Sequence, residues 1–406
     1  LRDVLKIALG VIAAIGGFVD IGDIVFNSEA GASLGYSVLW ALPLGVLGII
    51  VFAEMSGRIA AIGKKANFVL VRERYGDRLA LFTLGASLVL TVLTLAAELG
   101  GLGFILNYYF DVSVGFFVLV GLLLVGGAAI LLPFGWIERV FGYSGLALLV
   151  YVFASVKLGP NWGEVGRGFV PHVHSAAVYW YFIVGLTAAA LMPYEIYFYS
   201  SGGIEEGWTE RDLRVNRLNA ILGFSLGGVI AAAILVASTE VLTPDSVTPD
   251  SLGTVALVAQ VPYGELGLVL ALTGMLFAVG GATIDTGFSA AYNLAQHQGW
   301  KWGKERGSLR RERRFGLSLA IFAVIGFAIV QTGVDPVQLT EYAVIFSIPV
   351  LPLTYLPVLL VGGDREVMGR HVNGWLSRLL GWGYFGLICL LAVAAPILFV
   401  ATNGGS

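Results

Sequence analysis

Eleven apolar stretches, each long enough to cross a bilayer and joined by short connections, dominate this chain. A spanning helix needs about 20 mainly apolar residues. Such stretches cover 5–34, 36–60, 80–108, 112–133, 136–158, 176–205, 214–240, 264–294, 313–333, 337–362 and 376–401. Inside a bilayer every backbone polar group must be satisfied within the protein, so only helices and closed barrels span it. A barrel would show short alternating segments instead of long apolar runs. The expected class is therefore an all-α membrane protein with eleven transmembrane helices and no separate soluble domain. Composition agrees: 13% of the 406 residues are charged and 57% hydrophobic, against about 25% charged in soluble domains. No cleavable signal peptide is expected, because the first stretch runs into acidic residues without a small-residue cleavage site. The single cysteine, Cys389, precludes an internal disulfide. The stretch 63–79 is amphipathic and basic, and is expected along the membrane surface.

With eleven spans, the ends and connections alternate between two sides. One side collects 22 of the 24 cations, and the other has only Lys157 and Arg167. Cytoplasmic loops carry the excess of Lys and Arg. The N-terminus is therefore expected in the cytoplasm and the C-terminus outside, with "TPDSVTPDS" (243–251) an external loop.

The first span carries Asp20 and Asp23 among glycines. A charge at the bilayer centre costs about 2.5–3.5 kcal/mol on insertion scales, so such residues mark function by default. Laying "VDIGDIVFNSEAG" (19–31) over "LMPYEIYFYSSGG" (191–203), an offset of 172, places Asp23 on Glu195, Ile24 on Ile196, Phe26 on Phe198, Ser28 on Ser200 and Gly31 on Gly203. The first and sixth spans thus carry related interruptions, one rich in glycine and one centred on Pro193. Five spans separate the two units, and five is odd, so the second is inverted. Paired interrupted helices in inverted halves point to a transporter's midplane site. The expected units are 1–160 and 161–362, each of five helices, followed by helix 11 in 363–406.

Asp20, Asp23, Met192 and Glu195 could converge where the interruptions face each other. Carboxylates with freed carbonyls make a cation site, and a thioether adds preference for softer divalent ions. Ordinary alternatives stand beside this reading: the aspartates could cap a helix fragment, and Met192 could simply fill space. Glu98, Asp285, Glu341, Glu54 and Glu29 also fall within spans, either as functional acids or as paired structural ones. None of the histidines (His172, His174, His297, His371) falls deep in a span. No phosphate loop, nucleophile elbow or zinc spacing appears, so neither enzymatic activity, a resident cofactor nor a nucleic-acid partner is expected.

At this level the chain resembles the NRAMP family of divalent metal transporters, which have the LeuT-type inverted-repeat fold. The likeness covers nearly the whole chain. It is carried by "AGASLGYSVLW" (30–40), "WGEVGRGFVPH" (162–172), "DPVQL" (335–339) and "DREVMGRHVN" (364–373). The family joins a D-P-G-N motif in helix one to an M-P-H motif in helix six. Here they read Asp20-Ile21-Gly22-Asp23 and Met192-Pro193-Tyr194. The resemblance implies Asp20, Asp23, Met192 and the backbone carbonyl of Ala189 as metal ligands. It also implies Glu98 as an acid linked to proton movement, and Tyr194 and Tyr199 stand at family positions around the site; Glu195 and Asp285, from the reading of the residues, are further candidates for a proton route or a supporting shell. Tyr194 and Tyr199 replace two family histidines, Leu95 replaces a second helix-three acid, and Val344 takes the position of a metal-facing glutamine. These departures put proton coupling in question.

The expected function is transport of divalent metal ions toward the cytoplasm by alternating access. Mn²⁺ or a similar transition metal is the favoured cargo and Mg²⁺ the alternative. An organic-solute symporter or a non-transporting sensor on the same scaffold are more distant rivals. A bacterial cell membrane is the expected location.

Overall fold

The computed structural model describes residues 19–110, 112–249, 251–303 and 312–404. Among these there is no β-strand. Ten helical spans are long and apolar enough to cross a membrane: 41–63, 77–110, 114–131, 135–158, 177–205, 210–242, 265–298, 313–330, 336–363 and 375–401. They correspond to the second to eleventh expected spans. The first is described only from residue 19. Its part 5–18 and the cations Arg2, Lys6, Lys304, Arg306, Arg310 and Arg311 lie outside the described residues.

In chain order the helices are α1 (Ile21–Leu34), α2 (Ala41–Gly63), α3 (Asn67–Tyr75), α4 (Asp77–Phe110), α5 (Val114–Leu131), α6 (Phe134–Gly145), α7 (Leu149–Leu158), α8 (Trp162–Gly168) and α9 (Ala177–Ala189). Then follow α10 (Pro193–Glu205), α11 (Leu213–Leu242), α12 (Leu252–Tyr263), α13 (Glu265–Gln298), α14 (Arg313–Val330), α15 (Pro336–Ser347), α16 (Leu351–Gly363), α17 (Arg365–Met368) and α18 (Trp375–Ala401). The sixth span is α9 plus α10. The tenth is α15 plus α16, joined by a 3₁₀ turn over Ile348–Val350.

The two longest helices, α4 and α13, have 34 residues each and pack along one another at the heart of the bundle. α1 rests on α11, α9 and α15. Its approach to α11 requires glycine: a Cβ on Gly31 would stand 2.4 Å from the Leu235 carbonyl oxygen. Small residues let helix backbones meet closely where lipid supplies no hydrophobic drive.

Three short helices differ from the sequence expectation. α3 falls within the stretch expected on the membrane surface, but its Asn67, Phe68, Leu70 and Val71 are buried against the bundle. α8 and α12 were not expected, because 7 and 12 residues are too few to stand out among spans. Their starts are capped: the Asn161 side chain accepts from the Gly163 N–H at 3.0 Å, and the Ser251 hydroxyl from the Thr254 N–H at 3.2 Å.

The cation-rich connections meet at one end of the bundle. Arg58 pairs with Glu54 at 3.1 Å and donates to the His371 carbonyl and to Asn373. Arg74 pairs with Asp364 at 2.5 Å, Arg370 pairs with Glu210, and Lys64 donates to the Trp208 carbonyl. Glu54 is thereby a paired structural acid. Elsewhere, Lys157 stacks over Tyr263, and Arg167 borders a cavity of about 410 Å³ with Tyr36, Ser37, Glu164, Gly168 and His172.

Candidate functional site

Residue chemistry explains both interruptions, the first of which is described only from residue 19, as the start of α1. α1 begins at Ile21 because Asp20, in extended conformation, caps it: Asp20 Oδ1 accepts the Asp23 N–H at 3.0 Å. Such a cap contributes about 0.5–2 kcal/mol. Gly22 leaves little room for a larger residue beside it. A Cβ there would stand 3.0 Å from both Asp20 Oδ1 and Val344 Cγ2. In the sixth span, α9 stops at Ala189 and α10 starts at Pro193. The helical partner of the Ala189 carbonyl would be the N–H four residues on, at position 193, and proline has none. The break therefore occupies Ala190–Met192, with Pro193 opening the second half instead of sitting at its centre.

The start of α1 meets the break of the sixth span. Tyr194, one residue into α10, donates its hydroxyl to Asp20 Oδ2 at 3.1 Å across 174 residues of sequence. Asp20, Asp23, Ala189, Met192 and Tyr194 are each no more than 2% exposed. Both Asp20 oxygens are thus engaged, whereas Asp23 Oδ2 has no hydrogen-bond partner among the described residues. The same holds for Glu98 Oε2 and both oxygens of Glu195. Buried polar atoms are paired as a rule, and each exception asks for an explanation such as an absent ion or water.

The other sequence candidates divide by position. Glu98 lies within electrostatic reach of Asp20 and Asp285, and its Oε1 accepts from Thr286 at 3.0 Å. Glu195 senses Asp20, Asp23, Asp285 and Glu98. Val344 borders the break through Gly22. Tyr199 is not brought to the breaks: its hydroxyl donates to the Asn216 carbonyl on α11, and its ring packs on Trp208 and Phe224. Leu95 faces α14, near Gly326. Among the described residues no three His, Cys, Asp or Glu side chains converge to hold one ion. Any ion at the breaks therefore depends on backbone oxygen, sulfur or water besides the aspartates.

Three hydroxyls escaped the sequence reading. Tyr355 of α16 donates to the Leu191 carbonyl inside the break at 3.0 Å. Ser289 of α13 donates to the Tyr194 carbonyl at 3.1 Å, and Ser56 of α2 to the Ile196 carbonyl at 2.9 Å. The first satisfies a carbonyl that the break leaves open, and the other two pin the first turn of α10 to α13 and α2. Lone hydroxyls on distant helices carry no spacing signal by which to find them.

The Nramp family profile ("Natural resistance-associated macrophage protein-like") matches residues 10–397. The "Divalent metal cation transporter MntH" of Deinococcus radiodurans is 26% identical over 421 residues, covering 97% of this chain and 87% of that protein. Its namesake in Levilactobacillus brevis is 23% identical, covering 92% and 84%. The manganese transporter of Eremococcus coleocola, solved with an aromatic bis-isothiourea compound, superposes with a TM-score of 0.77 at 17% identity, covering 98% and 85%. A Na⁺-coupled sialic acid symporter in an outward-open state shares the fold at a TM-score of 0.58 and 13% identity, covering 97% and 89%.

Proposed function

The chain belongs to the Nramp family, whose members are transporters and not enzymes, and on that premise we propose that it carries divalent metal ions across the bilayer as its cargo. Its named relatives are divalent metal cation transporters, and it is an integral, multi-pass membrane protein with the LeuT-type fold. The observation that carries the reading is the meeting of the start of α1 and the break of the sixth span at Asp20, with the Asp23 Oδ2 atom buried and unpartnered among the described residues. The ligand set we propose is Asp20, Asp23, the Ala189 carbonyl and Met192.

Mn²⁺ or a similar transition metal is the preferred cargo in this reading. Met192 supports it, since a thioether favours softer ions. Asp23 favours the second reading, Mg²⁺, because hard ions bind through oxygen. The orientation in this reading, N-terminus inside and C-terminus outside, rests on the positive-inside rule, and movement of the cargo toward the cytoplasm is part of the same proposal. Alternating access suits a break that is sealed from solvent here, since release requires an opening. The division into 1–160, 161–362 and 363–406 has support in paired features. α3 precedes α4 as α12 precedes α13, and the two long helices are equal in length. Proton coupling is weak or absent in our reading, because Tyr194 and Leu95 stand where the family has ionisable groups.

The test is Mn²⁺ uptake into liposomes reconstituted with the parent, Asp20→Asn and Asp23→Asn. Uptake by the parent and its loss in both variants is expected. Parent-like uptake by both variants would place the site elsewhere.

A further inference from the structure

Two acids of the outlying group, Glu29 of α1 and Glu341 of α15, are not explained by the break. Their carboxyl groups stand within hydrogen-bonding reach of each other, and Glu29 is only 8% exposed. An ionised carboxylate offers acceptors alone, so two carboxyls meet in this way only around a proton or a cation. Glu29 follows Asp23 by six residues, about 9 Å along the helix axis at 1.5 Å per residue. The pair therefore stands apart from the aspartates.

The third component is Tyr181 of α9. It is 2% exposed, with its ring beside Phe26 and Phe182. Its hydroxyl has no hydrogen-bond partner among the described residues. The strongest charges acting on that hydroxyl are those of Glu341 and then Glu29. A proton between the glutamates would satisfy them and leave Tyr181 unanswered. A cation takes oxygen from all three.

We infer that Glu29, Glu341 and Tyr181 form a second divalent-cation site, a staging point on the cargo's route beyond the break. Two carboxylates balance the charge of one divalent ion, and the hydroxyl with water completes a shell of hard oxygens. No sulfur is present, so this site holds hard and soft divalent ions alike and leaves the choice between them to the break, where Met192 stands. The site is built across the first, sixth and tenth spans. α1 packs on both α9 and α15, so an ion here ties the three together. The inference rests on the divalent-cargo reading, and its test separates the two.

The test is equilibrium dialysis of the purified full chain in detergent against MnCl₂ alone, counting ions bound per chain. Two are expected for the parent. One is expected for Glu29→Gln with Glu341→Gln, and one for Asp20→Asn with Asp23→Asn. A parent whose single ion is lost on Asp20→Asn with Asp23→Asn, or a Glu29→Gln/Glu341→Gln protein that still binds two, overturns the second site. A parent that binds none overturns the transport reading itself. Should the double glutamine variant fail to elute as a folded species, Tyr181→Phe replaces it, since it keeps the ring and removes only the hydroxyl. One of the two ions should then bind on the order of tenfold more weakly, the effect of one lost ligand. Unchanged affinity for both would overturn the inference.

Discussion

Tyr355→Phe should loosen the grip on the ion without touching any proposed ligand. The Tyr355 hydroxyl donates to the Leu191 carbonyl at 3.0 Å, and both residues are fully buried. Leu191 sits inside the break, between Ala189 and Met192. Phenylalanine preserves the ring and its edge-on contact with Phe52, whose centroid is 4.4 Å away, so the change reduces to one donor. A buried acceptor left unpaired costs about 1–3 kcal/mol. The penalty applies only while the Leu191 carbonyl stays sealed from water. The variant therefore favours conformations in which the break reaches solvent, and the closed form that would hold the cargo becomes rarer. At about 1.4 kcal/mol per tenfold, apparent affinity should fall by roughly 5- to 150-fold. Isothermal titration with Mn²⁺ reads the affinity, and a thermal melt in detergent reads any loss shared by all folded states. Parent-like affinity together with a parent-like melting temperature would refute the reasoning. It would mean that water or backbone movement satisfies Leu191 at no penalty.

Met192→Ala should weaken Mn²⁺ and Cd²⁺ binding and make Mn²⁺ uptake more easily blocked by excess Mg²⁺; equal inhibition in parent and variant would mean that Met192 only packs, and Mg²⁺ would become the favoured cargo. Metal uptake into liposomes loaded with a pH dye should proceed with little internal acidification, and robust metal-dependent acidification would refute weak coupling. At the cation-rich end, burial would raise the Asp364 carboxyl, but the Glu366 N–H and the Arg74 guanidinium outweigh it and hold the group below its usual value. A carboxyl lowered on folding contributes stability that is complete above its unfolded value, about 3.9, and is lost as pH falls through the folded value. Asp364→Asn should therefore melt below the parent at pH 7, and the gap should close as the solution is acidified below pH of about 4. A gap that is constant with pH would show that the ion pair adds nothing.

What was legible in the sequence follows from range. Charge inside an apolar run is a local signal, so Asp20, Asp23, Glu98 and Glu195 announced themselves, and so did Pro193 and the glycines of the first span. The offset of 172 links the two interruptions, and Tyr194 on Asp20 makes that link physical. The location of the second break needed one more step: proline ends the ladder by withholding an N–H from position 189, so the gap precedes it. Contacts between helices far apart in sequence were not legible. Tyr355 on Leu191, Ser289 on Tyr194 and Glu29 on Glu341 join spans whose order in space no residue pattern encodes. Tyr199 misled for a related reason. It shares a helix with Tyr194 but is turned toward α11, and the family pattern records sequence position without recording that turn.

The length of α4 and α13 has a consequence for how the molecule sits in lipid. Each has 34 residues, about 51 Å at 1.5 Å per residue. The hydrocarbon layer is about 30 Å thick, and a tilt of 40°, the upper end of what helices show, still leaves about 39 Å of vertical reach. Both helices therefore run from one headgroup layer to the other at any ordinary tilt. They pack on each other and carry Glu98 and Asp285 near their middles, so they act as a gauge moored in both water interfaces. A thicker or thinner membrane shifts lipid against this gauge and leaves the breaks at the same height between its ends. The same transporter can then serve membranes of different thickness with its cargo held at one fixed level.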